Sequence, residues 1–336
     1  MRVKQCLQAA VLRAWFNDHY WIKLLAPLSF VFLCIVRWRK DFLLAKKRWE
    51  PPVPVVVVGN ISVGGVGKTP VVACLAKGMQ ARGYKPGIVS RGFGGAGARY
   101  PALVTAMSSP KDVGDEPVML AQQLDIPVVV DPNRVNAAYF LLKHHECNLI
   151  IADDGLQHYN LKRNVELLVI DGHRMFGNGL CLPAGPLREP EGRLQSVDLV
   201  LINGEPAFDP GVSYHSFKLL PQALMAVRPD SRNFTAVCPQ GCRVHGVAGI
   251  GNPERFFNTL ADLGFEVVVH VFPDHYCYRA EDIVFEEELP VIMTAKDAVK
   301  CTEFATPNHW YLPVATNISA HVLDHIASLI ENSDVM

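Results

Sequence analysis

Residues 59–70 read Gly-Asn-Ile-Ser-Val-Gly-Gly-Val-Gly-Lys-Thr-Pro, a run that can hold a phosphate. Glycines at 64, 65 and 67 let backbone N–H groups close around an anion. Lys68 can reach β- and γ-phosphates, and the Thr69 hydroxyl can ligate Mg2+. ATP and Mg2+ are therefore the expected cofactors. Further on, Leu149-Ile150-Ile151-Ala152 runs into Asp153-Asp154-Gly155, acids suited to hold or orient Mg2+ beside such a loop. Two positions depart from common forms of the motif. Ser62 stands where the strict pattern has its first Gly, and Val63 stands where partitioning-type ATPases carry a second Lys.

These groups need a scaffold. Pro54–Val58 is a short, continuous apolar run, as expected of a strand buried on both faces of a parallel sheet. A helix is expected over Val71–Arg82, so strand, glycine loop and helix follow one another as phosphate binding requires. Pro86–Val89, Leu149–Ala152, Val165–Ile170 and Val197–Ile202 are further buried-strand candidates. Their alternation with helices predicts a doubly wound α/β sheet. From about Leu220 a smaller α/β unit is expected, with a strand and turn over His245–Pro253, strands at Phe265–Val271 and Pro290–Thr294 and a helix at Glu254–Leu263. It has no phosphate loop of its own. The predicted division is 1–48, an arm; 49–220, the phosphate-binding domain; 221–315, the smaller domain; and 316–336, a terminal helix. A cleft between the two domains is a natural substrate site.

The polar turns of this scaffold carry reactive groups. They include Ser90-Arg91-Gly92-Phe93-Gly94-Gly95, Gly114-Asp115-Glu116-Pro117, Gln157-His158 and Pro183-Ala184-Gly185-Pro186-Leu187-Arg188-Glu189-Pro190. Each alone reads as a cap or turn. Together, at the ends of parallel strands, they predict one large polar pocket beside the γ-phosphate.

Composition bounds the rest. The chain has 336 residues, 49% of them hydrophobic and 19% charged, which supplies a core and excludes disordered and collagen-like classes. Nine cysteines without a C-x-x-C predict reduced thiols. Cys238, Cys242 and His245 lie close in sequence but lack the fourth ligand of a structural zinc site. The net charge of -1 conceals a basic arm: residues 1–48 carry Arg2, Lys4, Arg13, Lys23, Arg37, Arg39, Lys40, Lys46, Lys47 and Arg48 against Asp18 and Asp41. Leu24–Val36 is 13 uncharged residues, short of the ~20 that span a bilayer. Trp15, Trp21 and Trp38 lie near its ends, where indoles favour the headgroup level. This predicts an interfacial segment on an anionic membrane surface.

As a set, GNISVGGVGKTP, SRGFGG, GDEP, ADDGLQH, DG with GNG, PAGPLREP, GIGNPERFF, FPDH and KDAVK resemble the tetraacyldisaccharide 4'-kinase family, over most of residues 59–300. The resemblance implies ATP-dependent phosphorylation of the 4'-hydroxyl of a tetraacylated glucosamine disaccharide 1-phosphate, on the cytoplasmic face of the inner membrane. It assigns phosphate-loop roles to Lys68 and Thr69, and metal roles to Asp153, Asp154 and Glu116. Asp115 matches the acid that accepts the hydroxyl proton, and His275 its partner from the second domain. Arg91, Gln157, His158 and Arg188 match positions near the acceptor. The family pattern has Tyr at Phe93, Glu at Ala295 and often His at Tyr276, so three contacts differ here. A base from one domain and a His from the other make activity depend on domain closure. No nucleic-acid partner is expected, and no protein partner is inferable. The competing reading from the residues is a membrane-associated ATPase switch of the partitioning type, against which Val63 and the second domain both count. A relict scaffold would not keep Lys68, Thr69, Asp153 and Asp154 together, and a soluble small-molecule kinase has no use for the basic arm.

Overall fold

The computed structural model describes residues 10–17, 19–97, 99–228 and 241–333. Its first sheet contains β1 (Val55–Gly59), β2 (Pro86–Ser90), β3 (Ala102–Val104), β4 (Val128–Val130), β5 (Leu149–Asp153), β6 (Val165–Asp171), β7 (Leu199–Asn203) and β8 (His215–Phe217). Their order is β3-β4-β2-β5-β1-β6-β7-β8. Only β3 runs antiparallel to its neighbour. Every residue of β1 is buried, because helices cover both faces of the sheet. Val56 and Val58 pack with Leu75, Met79, Leu120 and Ile326 on one side. Val55 and Val57 pack with Leu141, Leu156 and Leu161 on the other. That two-sided burial explains why the strand has no alternating pattern in sequence.

Preceding the sheet is the arm helix α1 (Ala26–Ala45). Within the first unit follow α2 (Lys68–Gln80), α3 (Pro110–Val113), α4 (Asp115–Gln123) and α5 (Arg134–His144). Thus α2 begins at Lys68 itself, three residues before the expected start, since left-handed Gly67 (φ 96°) is its N-cap.

The chain leaves the first unit through β9 (Leu219–Pro221) and re-enters it through β15 (Val314–Thr316), which pair antiparallel. Between them lie β10 (Met225–Ala226), β11 (Arg243–Ala248), α6 (Pro253–Asp262), β12 (Glu266–Val271), β13 (Val291–Thr294), α7 (Ala295–Cys301) and β14 (His309–Leu312). They form a second sheet ordered β10-β14-β13-β11-β12. The last helix, α8 (Ala320–Ser333), returns to the first unit. Leu323 packs so closely on Gly78 of α2 that a Cβ there would lie 2.7 Å from it, and Arg82 Nε donates to Asp324 at 2.8 Å.

The arm is longer as a helix than as an apolar run. It continues through Arg37-Trp38-Arg39-Lys40 to Ala45, because no breaker intervenes. Tyr20–Ala45 is long and apolar enough to cross a membrane by length and composition, and only 11% of its most apolar window is buried. Tyr20, Leu24, Phe30 and Trp38 are all exposed. Ser29 is the one buried residue of α1 and pins it to the body. Its Oγ donates to Cys181 O at 2.7 Å and accepts from Ala184 N–H at 3.0 Å. Of the predicted arm charges, Arg2, Lys4 and Asp18 lie outside the described residues, as does Cys238.

One expectation is corrected. Cys242 is disulfide-bonded, so not every thiol is reduced. The other six described cysteines are free. His245 is no zinc ligand either: its ring nitrogens contact His270 Nε2 and Glu287 O, each at 3.0 Å.

Candidate active site

Strand β1 ends at Gly59 and releases the chain into the phosphate loop. Gly64 and Gly67 have φ of 117° and 96°, conformations that side chains resist, which leaves the loop open to a phosphate. Thr69 follows Lys68 in the first turn of α2. Lys68 Nζ donates to Asn60 Oδ1 at 3.2 Å and faces Asp154 Oδ1 at 3.5 Å. Behind the loop, Ser62 bridges to Leu187, and Val63 N–H donates to Pro186 O at 2.8 Å. The proline-rich turn thereby supports the phosphate loop.

The sheet register sets Asp153 beside Val58, next to the start of the loop. Asp153 is buried, and neither of its carboxylate oxygens has a hydrogen-bond partner. Burial, then the charges of Glu116 and Asp154, push its carboxyl up to about 7 against the pull of Lys68 and Arg134. Asp154 has a left-handed backbone (φ 48°), rare for a non-glycine, and it turns toward the cations. Burial raises its carboxyl, but Lys68 and Arg188 outweigh that and hold it at about 2. Arg188 Nη1 lies 3.2 Å from Asp154 Oδ2.

A second cluster crosses between the two units. Asp115 opens α4 of the first unit, while His275 sits on the turn after β12 of the second, again left-handed (φ 58°). His275 Nδ1 and Asp115 Oδ2 are 3.0 Å apart. The other oxygen of Asp115 accepts the Glu116 backbone N–H at 2.9 Å. Burial pushes the Asp115 carboxyl up, yet the His275 hydrogen bond and the charges of Lys296 and Lys300 prevail and hold it below its ordinary value. Lys296, from α7, donates to Glu116 Oε1 at 3.0 Å and Asp274 Oδ1 at 3.1 Å. Potential metal-ligating atoms of Asp115, Glu116 and His275 lie within 4.8 Å of one another. The Lys296 ammonium already supplies that cluster with a cation. The second unit also touches the phosphate loop directly: a Cβ on Gly251 would lie 2.6 Å from Gly65 N. Arg174 Nη1 donates to Gly251 O at 2.8 Å, and Arg255 Nη2 to Asn203 Oδ1 at 2.9 Å.

The remaining predicted residues fall around this centre with different partners. Gln157 Nε2 donates to Glu189 Oε1 at 2.7 Å and to Asn60 O at 3.1 Å. His158 Nε2 accepts the backbone N–H of Arg134 at 3.2 Å. Burial, then Arg134, Arg163, Arg39 and Arg91, push the His158 imidazole down to about 4, so it is neutral near pH ~7. Arg91 is exposed at the mouth, close enough for its charge to be felt by Arg134 and His158. At the three departures from the family pattern, the Phe93 ring meets His275 edge-on at 4.7 Å, Ala295 is buried at the start of α7, and Tyr276 O–H donates to Asp282 at 3.4 Å.

Four members had no role assigned from sequence. Asn60 holds Lys68. Buried Arg134 donates to the main-chain oxygens of Asp131 and Asp153, each at 3.3 Å. Glu189 receives Gln157 and the Tyr159 hydroxyl. Lys296 joins Asp115's neighbours to the second unit. Asn60, Glu189 and Lys296 stood inside the quoted motifs, but Arg134 lay in none.

The profile of the family described as tetraacyldisaccharide-1-P 4'-kinase (LpxK) matches residues 21–331. The tetraacyldisaccharide 4'-kinase of Alkalilimnicola ehrlichii is 50% identical over 295 residues, 86% of this chain and 87% of that protein. The enzyme of the same name from Nitrosococcus oceani is 44% identical over 326 residues, 96% of this chain and 95% of that one. Among solved structures, LpxK from Aquifex aeolicus, crystallised in complex with ATP, superposes with a TM-score of 0.76 at 27% identity, covering 93% of this chain and 99% of the other. With a phosphate loop, paired acids at a strand end and a cross-unit Asp-His contact in place, the chain belongs to the tetraacyldisaccharide 4'-kinase family and is an ATP-binding kinase of lipid A biosynthesis.

Proposed function

We propose that this chain moves the γ-phosphoryl group of ATP to the 4'-hydroxyl of a tetraacylated glucosamine disaccharide 1-phosphate, with Asp115 taking the hydroxyl proton. The observation that carries this is the 3.0 Å contact between Asp115 and His275, made across the two units. A sugar hydroxyl is a poor nucleophile, and a carboxylate at contact distance lets its proton leave as the new O–P bond forms. In a loose phosphoryl transfer the proton moves late, so an acid held below its ordinary value can still serve. His275 orients that acid. Lys68 neutralises charge on the transferred group, and Gly64, Gly65 and Gly67 supply N–H donors.

The donor set fits magnesium. Asp153 offers two buried oxygens without partners and feels the charges of Glu116 and Asp154, and the Thr69 hydroxyl opening α2 is a further oxygen donor. Magnesium held there would supply positive charge against the negative charge that builds on the transferred group. Arg91, Gln157, His158 and Arg188 would receive the sugar-phosphate end of the acceptor. The exposed apolar face of α1 and the bases of residues 1–48 support peripheral docking on anionic lipid at the cytoplasmic face of the inner membrane. The test is product analysis: ATP and the disaccharide monophosphate, with the purified chain in detergent, should give a bisphosphate whose new group is on the 4' carbon. Phosphate on any other carbon, or ADP and inorganic phosphate alone, would refute the assignment.

A further inference from the structure

Strand β13 ends at Thr294, whose hydroxyl oxygen caps α7 by accepting the Asp297 N–H at 3.2 Å. The Asp297 side chain is fully buried in the second unit. A carboxylate in such a place must be paired and hydrogen-bonded. Its Oδ2 accepts the Thr294 hydroxyl at 2.6 Å and the Gly249 N–H at 2.8 Å. Its Oδ1 pairs with Lys300 Nζ at 2.7 Å, from the next turn of α7. Capping the helix accounts for Thr294 alone. The other two partners lead to the site. Gly249 opens the turn whose Gly251 abuts the phosphate loop, where a Cβ would lie 2.6 Å from Gly65 N. A Cβ on Gly249 itself would lie 2.9 Å from Asp297 Oδ1 and 2.7 Å from Tyr278 Oη, so the turn runs directly over the carboxylate. Lys300 lies over the Tyr278 ring, and its Nζ stands 3.9 Å from Asp115 Oδ2 in the first unit.

We propose that Asp297 is a positioning residue that sets two contacts of the second unit on the site from one carboxylate. Through Gly249 it seats the turn that braces the phosphate loop, and through Lys300 it aims a cation at Asp115. The seating of ATP and the base then share one anchor, itself shut off from solvent. Without the Oδ2 contacts the turn can lift and the Gly65 N–H donor can shift. Without the Oδ1 contact Lys300 can swing from Asp115. Small displacements of either kind are costly to a reaction that depends on positioning. The Lys300 half rests on the reading of Asp115 as the proton acceptor, and the loop half does not.

The test is steady-state kinetics of the full chain in detergent with ATP and the disaccharide monophosphate, with thermal midpoints and calorimetric ATP binding measured alongside. In Asp297→Asn the amide oxygen can still accept from Gly249, but the amide nitrogen meets the Lys300 ammonium, donor against donor. Asp297→Asn should lower kcat ~10-fold with KM for ATP within about twofold of wild type, and Lys300→Met should do the same. Asp297→Ala removes both contacts and should in addition raise KM and the dissociation constant for ATP ~10-fold. Gly249→Ala, which pries the turn off the carboxylate, should weaken ATP binding likewise and reads the same contact should Asp297→Ala fail to fold. The double variant Asp297→Asn, Lys300→Met removes both buried charges together, so its midpoint should return toward wild type. Its kcat should stay as low as in either single variant, because the two residues act as one unit. Recovery of kcat along with the midpoint, losses that multiply in the double variant, or unchanged ATP affinity in folded Asp297→Ala or Gly249→Ala would overturn the proposal. Weakened ATP binding in Asp297→Ala with no lipid product from wild type would instead count against the proposed reaction, and would take only the Lys300 half with it.

Discussion

Asp115 and Asp153 are both buried acids at strand or helix ends, yet their surroundings push them in opposite directions. Asp115 has a histidine and two lysines, so it stays ionised and available as a base. We expect Asp115→Asn to lower kcat by ~10²–10⁴-fold while ATP affinity, read by calorimetry, changes little. Asp153 has unpaired oxygens and acidic neighbours, and its carboxyl moves from 3.8 to about 7. Between those values the folded chain binds a proton that the unfolded chain releases, so this group makes metal-free stability fall as pH rises through that window. Asp153→Asn should remove that fall. Its metal-free Tm above pH ~7 should exceed wild type, by about 2–4 °C for each kcal/mol regained, while activity is lost. A thermal scan across pH in chelator checks both signs.

Elements set these residues, and the turns between elements carry them. The phosphate loop and the acids of β5 were legible because their chemistry is local: a buried strand, a glycine turn and a helix start are contiguous. Pairing of Asp115 with His275 was legible only through the family resemblance, since 160 residues separate them. Lys296 and Arg134 went unassigned for the same reason; a lysine on a helix and an arginine after a turn look like solvated charges until the fold buries them. The Gly249-Ile250-Gly251-Asn252 turn is a further case, since its role as a contact on the phosphate loop cannot be read from a glycine pair. Gly251→Ala would drive a methyl against Gly65 N. We expect a roughly tenfold or larger rise in KM for ATP, through displacement of the loop's N–H donors, with thermal stability nearly unchanged.

At the scale of the molecule, two sheets joined by the β9–β15 ribbon bring Asp115 and His275 together, and α1 stands apart with its apolar side chains in solvent. The 13-residue apolar run underestimated this helix, because a run of uncharged residues measures hydropathy and helix length follows from the absence of breakers. Residues 1–48 should govern membrane attachment while the site remains intact. Deleting them should abolish flotation with anionic vesicles, and raising salt should weaken flotation of the full chain, since its bases are screened. Retained flotation of the truncated chain would move the membrane contact to the body.

The most direct test of the account is transfer of labelled γ-phosphate from ATP to the tetraacylated disaccharide monophosphate in detergent, with wild type beside Lys68→Ala and Asp115→Ala. Labelled lipid from wild type and its collapse in both variants is the predicted result. Labelled lipid undiminished by Asp115→Ala would contradict the assignment of the base, and ATP hydrolysis without labelled lipid would contradict the reaction itself.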